Sequence, residues 1–357
     1  MKENIRPNIK IKKQEIILRK ASIEPNFTNK TVLTDSTWRY IELFLKKEKK
    51  ATKNERALNY WKQAENFYEA TKSLDILSKP LTSYYCFLNA TKALLTYKGI
   101  NFDTKHGVSG EIKNGQIVIQ NEYIKLHPKG VLAGLCNYLN EPIKTINSKP
   151  ETYNLKEILY NLEYIHRAYI LTFGQAELFV PISNPRFVFD KIQKKGWLEA
   201  QLEDQYSNQG EFAKFKTGFG IDKLYSQNKF YTIRLNKKFD WEAPYNRPTD
   251  KSLENFKKYY KNQRKRFRYI YSPNQLWYIK RKDLQGIIDR NTLSLTFAAM
   301  HCLSEMSRYD PDRLAKHLEK SCGWLLTEFI NKSIYQFIDM ISSEISGDDF
   351  RVTGFRT

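Results

Sequence analysis

The stretch TLSLTFAAMHCL, residues 292–303, is apolar almost all round. A surface helix needs only one apolar stripe, so a helix without a polar face has to sit at the centre of a core. The rest of the chain must therefore supply packing partners on every side of this segment.

Helical patterning supplies them. Asp35 or Ser36 can cap a helix that carries Trp38, Ile41 and Phe44. From about Lys53 to Leu74, the residues Ala57, Trp61, Ala64 and Tyr68 fall on one stripe. Pro80 suits the first turn of a third helix, whose residues Tyr84, Phe87, Leu88, Leu94 and Leu95 run to a C-terminal stop at Gly99. Three helices with short links predict a bundle. Helical period returns from about Asn154 to Thr172 through Leu155, Ile158, Leu162, Ile165 and Tyr169. Asp310 and Pro311 read as N-cap and first residue of one long final helix with Leu314, Leu318, Cys322, Leu325, Phe329, Ile334, Phe337 and Ile341 inward.

The β signals lie between these helices. EIKNGQIVIQ, residues 111–120, places Asn-Gly between alternating runs and predicts a hairpin inserted near 108–126. Between 175 and 250, short runs such as ELFVPI, RFVFD and KFYTIRL alternate with Pro, Gly and Asn and predict a small irregular sheet. The N-terminal IKIKKQEIILRK alternates weakly and reads either as an edge strand or as a mobile tail.

The fold class expected is mainly α with β insertions (α+β). Its parts are a basic N-terminal arm over 1–32, a helical domain over 33–174 and a β-containing middle region over 175–282. A C-terminal helical region over 283–357 packs on the first helices. No run of about 18 apolar residues occurs and the N-terminus lacks the apolar core of a secretory signal, so a cytoplasmic chain without a membrane partner is expected. Cys86, Cys136, Cys302 and Cys322 form no C-x-x-C pair and read as reduced, buried thiols.

The formal net charge is +20 and is unevenly spread. Residues 257–282, KKYYKNQRKRFRYIYSPNQLWYIKRK, hold ten Lys or Arg, seven aromatics and no acid. Concentrated charge of this kind is what draws phosphates and releases their counterions. Leu253, Phe256, Tyr260 and Phe267 share a helical stripe, and a hairpin of RYIY and LWYIK follows, joined at Pro273-Asn274. The candidate nucleic-acid-binding residues are Lys257, Lys258, Lys261, Arg264, Lys265, Arg266 and Arg268, with Trp277, Lys280, Arg281 and Lys282 from the hairpin. Tyr259, Tyr269 or Trp277 could stack on bases. The ordinary alternative is a solvated helix face, but the run lacks the acidic i,i+4 partners such a face tends to carry. RNA or DNA bound with low sequence specificity is the expected partner. An acidic protein is the alternative, and an oligomer is left open.

KPLTSYYCFLNATKALLTYKG, the KHG at 105–107 and LSLTFAAMHCLSEMSRYDPDRL at 294–314 resemble the bacterial YaaC-like family. The matching positions are Pro80, Leu81, Tyr84, Tyr85, His106, Gly107, Arg308, Tyr309 and Pro311. The resemblance implies architecture and bacterial origin rather than a chemistry. The helical parts are also similar to HEPN-type domains, many of which cut or bind RNA in toxin and antiphage systems; this implies an accessory or sensor role in defence. Catalytic HEPN ribonucleases leave four to six residues between an Arg and the His that follows it. No histidine here has an Arg at that spacing, and the nearest pair, Arg313 and His317, has three residues between.

His106 and Arg308 are weak catalytic candidates. Brought together, they would offer an acid or base beside a phosphate clamp, as in a nuclease. Otherwise His106-Gly107 shapes a turn and Arg308 serves a helix end. His301, Cys302, His317 and Cys322 include zinc-ligand types, but their spacings put neither pair on one helix face, which favours core roles. GVSG at 107–110 misses the G-x-S-x-G pattern by one residue, and neither G-x-x-x-x-G-K-[ST] nor H-E-x-x-H occurs. No metal or cofactor is expected, and no reaction is identified.

Overall fold

The computed structural model describes residues 6–352 apart from 48–50, 114, 146, 148, 215–217, 224–225, 227–230, 245–246 and 275. Helix outweighs strand, 47% against 20%, so the mixed α+β class holds. Strands β1 (Lys10–Ile11), β2 (Gln14–Glu15) and β3 (Val32–Thr34) precede helices α1 (Thr37–Lys47), α2 (Ala51–Lys72) and α3 (Lys79–Lys98). Next come β4 (Val108–Ile112), β5 (Glu122–Leu126), α4 (Val131–Tyr138), β6 (Glu151–Asn154), α5 (Leu155–Tyr160) and α6 (His166–Phe173). A strand-rich stretch holds β7 (Phe179–Asp190), β8 (Lys195–Leu202), α7 (Gln209–Ala213), β9 (Phe219–Ile221), β10 (Thr232–Leu235) and β11 (Phe239–Asp240). It continues with α8 (Asp250–Arg264), β12 (Phe267–Ile270) and β13 (Leu276–Lys280). Helices α9 (Thr292–Tyr309), α10 (Pro311–Glu319) and α11 (Gly323–Ser346) and strand β14 (Phe350–Val352) follow.

The chain divides into two units, Met1–Thr31 with Leu178–Gln285, and Val32–Glu177 with Gly286–Thr357. The first holds a seven-stranded antiparallel sheet in the order β12-β13-β7-β8-β10-β9, with β11 paired to β8. It is larger than the small irregular sheet expected. ELFVPI and RFVFD run into one strand, β7, because a bulge between Ser183 and Arg186 absorbs the break at Asn184, whose φ is 49°. One face of the sheet, including Leu198, Ala200, Ile233 and Ile279, packs against Phe256, Tyr259 and Tyr260 of α8.

Ile9, Ile11, Ile16 and Leu18 belong to that same core, and bridges Asn8↔Val188 and Ile17↔Arg186 tie the N-terminal segment to β7. The mobile-tail alternative therefore fails, because the alternating apolar residues are buried. Helix α8 fastens the segment further. The Tyr260 hydroxyl accepts from Arg19 N–H at 3.1 Å and lies within donating distance of the Arg19 and Ala21 carbonyls. Arg264 donates to the carbonyls of Arg19, Lys20 and Phe267 at 2.6–2.8 Å and lies over the Trp277 ring at 4.8 Å.

In the second unit α9 is central, as its composition requires, and packs on α3, α4, α5, α10, α11, β4 and β5. Helices α1 to α3 follow the predicted spans, and Gly99 closes α3 with φ 69°. Two expected continuous helices are broken. The 154–172 segment stops at Asn161, whose side chain accepts from Ile288 N–H and donates to the carbonyls of Glu157 and Gly286, satisfying backbone groups at the break. The final helix breaks before Gly323, where a Cβ would lie 1.8 Å from the Leu318 carbonyl oxygen. That approach is open only to glycine. Strands β4, β5 and β6 form an antiparallel sheet. The second strand of the predicted hairpin is EYIKL rather than QIVIQ, and Asn114 of its turn lies outside the described residues.

The Arg264 clamp leads to a stability prediction. Arg264→Lys keeps the charge but cannot serve three carbonyls with a planar fork, and should cost about 2 kcal/mol or more. An unchanged urea midpoint would show that the clamp does not hold the N-terminal segment.

Candidate functional site

Of the cations proposed from the sequence, four lysines form a face. Taking 100° per residue from Lys257, Lys261 lies near 40°, Lys265 near 80° and Lys258 near 100°. Lys265 still has helical backbone at the end of α8. All four are exposed, and none is in an ion pair among the described residues. Asp250 and Glu254 stand towards the N-terminal end of α8, where negative charge suits the helix dipole, so the remaining turns carry no acid.

The other candidates are not brought into this face. Arg264 and Arg268 are buried, 3% and 5% exposed, and serve backbone carbonyls, Arg268 that of Lys265. With both guanidiniums buried and turned to backbone, neither is placed to meet a phosphate at the surface. Trp277 is 2% exposed beneath Arg264, and Tyr259 and Tyr269 are also buried, so none of these rings can stack on a base. Arg266 is half-buried and bonds Gln263, Lys280 is half-buried, and Arg281 donates twice to Asp283 at 2.6 and 3.0 Å. Lys282 is exposed. At the other end of the chain Arg6 pairs with the buried Asp222, and Arg19 and Lys20 are buried.

In the helical unit His106 comes from the turn before β4. That turn is locked: Gly107 (φ 81°) meets Gly130 (φ 115°), and a Cβ on Gly130 would lie 2.5 Å from Gly107 N and Cα. Val131 and Leu132 N–H donate to the Lys105 and His106 carbonyls at 2.8 and 3.1 Å. The turn role foreseen for His106-Gly107 is therefore present, but it also delivers the imidazole to α9. Nδ1 of His106 lies 3.4 Å from Nε2 of His301, and Nδ1 of His301 lies 3.5 Å from Glu305. Tyr84 of α3 lies against both imidazoles, with ring centroids 4.8 Å from His301 and 5.3 Å from His106.

Burial lowers the His106 pKa, and the charges of Lys92 and Arg308 lower it further. Burial brings His301 down to about 3, with help from His106 and His127. Burial raises Glu305 against a hydrogen bond from Gly110 N–H. Arg308 is exposed, its guanidinium over the Tyr309 ring. His301 and Glu305 were missed as partners of His106 in the sequence, although His301, Glu305 and Arg308 lie four and three apart on one helix face.

The remaining ligand-type residues are dispersed. His317 Nε2 and Arg313 Nε both donate to the buried Glu122, at 2.7 and 2.8 Å, and Arg313 Nη2 completes an ion pair at 2.6 Å. Burial raises the Glu122 carboxyl, but these bonds outweigh it and hold it below its ordinary value. Cys302 is buried, and the thiol of Cys322 contacts the His317 carbonyl at 3.6 Å. Among the described residues no three His, Cys, Asp or Glu could hold a metal ion. No helix among them is long and apolar enough to cross a membrane.

His301 sets a pH dependence. Folded, it stays neutral down to about pH 3, whereas an unfolded imidazole takes up a proton near 6.5. The unfolded chain therefore binds more protons between these values, and stability falls as pH drops below about 6.5, by about 2 kcal/mol at pH 5. In His301→Gln the loss between pH 7 and 5 should shrink accordingly; equal loss in both proteins would contradict a neutral buried His301.

No curated protein and no solved structure matches the chain. A HEPN-type similarity is not shown, and the defence role that rested on it is not carried forward. A family model described as YaaC-like Protein matches residues 23–345, nearly the whole chain, and includes the turn at His106 and the end of α9 at Arg308. The chain belongs to the YaaC-like family.

Proposed function

We infer that the chain binds nucleic acid through the outer face of α8. The observation that carries this reading is the set of four exposed lysines, Lys257, Lys258, Lys261 and Lys265, within about 100° of one helix without an ion-pair partner among the described residues. The helix dipole favours cations in a last turn, yet only by about 0.3–1 kcal/mol, and it does not call for lysines two turns earlier. Lysines set at this spacing along a helix suit the repeated negative charge of a phosphate backbone.

The burial of Tyr259, Tyr269 and Trp277 narrows the mechanism. Contact is with phosphates and carries little base readout, because base edges or stacked bases are what convey sequence. Affinity is then largely counterion release, and RNA and DNA of similar length bind comparably.

Four phosphate contacts to a single strand predict a slope of about −3 in a plot of log affinity against log salt. The quadruple change of Lys257, Lys258, Lys261 and Lys265 to Glu should abolish binding in fluorescence anisotropy and leave the melting temperature within a few degrees, since all four are exposed. Binding that survives this change, or a flat salt response, would overturn the reading; binding that is lost for nucleic acid but kept for an acidic protein would move it to a protein partner.

A further inference from the structure

The histidine cluster of the helical unit is separate from the lysine face and has an order of its own. It runs Glu305, His301, His106, with separations of 3.5 and 3.4 Å. His301 is buried and His106 half-buried. One ring nitrogen of His106 faces His301, and the other, Nε2, bonds no protein group among the described residues. An imidazole oriented through one nitrogen and open at the other is the arrangement of a general base, and such contacts are often long before substrate arrives.

A second, independent observation points to a ligand. The Tyr84 hydroxyl, on a residue 2% exposed, has no hydrogen-bond partner among the described residues, although its ring touches both imidazoles. Other buried hydroxyls also lack a partner among the described residues, but this one belongs to the ring that lies against both imidazoles, where an acceptor on a ligand would satisfy it. Lys92 and Arg308 both place positive charge on His106, which favours an anionic substrate.

We propose that His106 is the general base of a site that cleaves RNA phosphodiesters, with Lys92 and Arg308 meeting the phosphate and with His301 and Glu305 as positioning residues. The choice of polymer rests on the nucleic-acid reading above; the residues do not. The nucleophile assigned to this base is one the substrate carries itself, which a single imidazole can activate. RNA carries it as the 2′-hydroxyl. Nε2 of His106 takes the 2′-hydroxyl proton, the 2′-oxygen bonds to phosphorus, and the bond from phosphorus to the 5′-oxygen breaks. The leaving oxygen takes a proton from water, and the imidazolium returns its proton to solvent. The products are a 2′,3′-cyclic phosphate and a 5′-hydroxyl. The groups bearing on the base are Tyr84 and Lys92 of α3, His301, Glu305 and Arg308 of α9, and His127 beyond β5 acting through His301.

The test incubates the full-length protein with a labelled RNA dinucleoside monophosphate and its 2′-deoxy analogue in EDTA, and measures binding of a longer RNA separately. The RNA dinucleotide should give the cyclic phosphate, with a rate that rises with pH and levels off below about pH 6.5 because His106 titrates low. The deoxy analogue should not react. His106→Asn and His106→Gln, each checked for an unchanged melting temperature, should lose about 100-fold or more. His301→Gln should lower kcat with KM unchanged and move the pH profile, whereas Arg308→Ala should raise KM. Absence of cleavage, cleavage that requires a divalent metal, or full activity in a folded His106 variant overturns the site. Absence of cleavage with binding retained leaves the lysine face standing; cleavage without binding of the longer RNA does the reverse.

Discussion

A guanidinium can be buried only where its donors are met, and Arg264 meets that condition with carbonyls from two separate stretches of chain. The strand-rich unit depends on this. Its sheet needs a cover on one face, α8 provides it, and the N-terminal segment completes it, held at 19–21 by Arg264 and Tyr260 and along its earlier residues by bridges to β7. Positive charge in this region is thus divided by the helix itself. Side chains that turn inward organise backbone, and those that turn outward are left for solvent or a polyanion.

A comparable division governs the helical unit. Helix α9 is buried along most of its length, and the polar groups it carries are met by neighbours: Ser294 by Glu141, Thr292 by Glu163, Thr296 by Tyr164. Towards its C-terminal end the pattern changes. His301 and Glu305 lie at a long contact beside a tyrosine hydroxyl that has no partner among the described residues, whereas Thr292, Ser294 and Thr296 are bonded at 2.5–3.0 Å. Incompletely satisfied polar groups that gather around one pair of imidazoles are a place where function is expected to sit.

The parts of the fold that depend on local pattern were legible. The apolar circumference of α9, the stripe of α2 and the stop at Gly99 are each set by residues within a turn or two of one another. The breaks at Asn161 and Gly323 were not, because the apolar period runs through both, and what interrupts it is a tertiary partner or a close backbone approach. Arg264 was misplaced for a related reason. It lies only about 20° from Lys257 around the helix, at the border between faces, and what turns it inward is a stretch of backbone some 245 residues earlier. His106 and Arg308 were singled out, but His301 was set aside with the metal-ligand types, since adjacency to Cys302 says nothing about a turn arriving from 195 residues away.

The division of the chain into interleaved units bears on its biosynthesis. The helical unit is begun by Val32–Glu177 and finished only by Gly286–Thr357. On a ribosome, α3, α4 and α5 emerge well before α9, so the apolar surfaces they will press against it remain uncovered while the whole intervening sheet is translated. Nascent chains in that state are prone to aggregate, and translation at a few residues per second makes the interval many seconds long. Strand β14 lengthens it further, since its parallel pairing with β3 joins residues 350–352 to residues 32–34 and closes the unit last. A chain stopped within α9 would leave α3, α4 and α5 without much of the helix on which they pack.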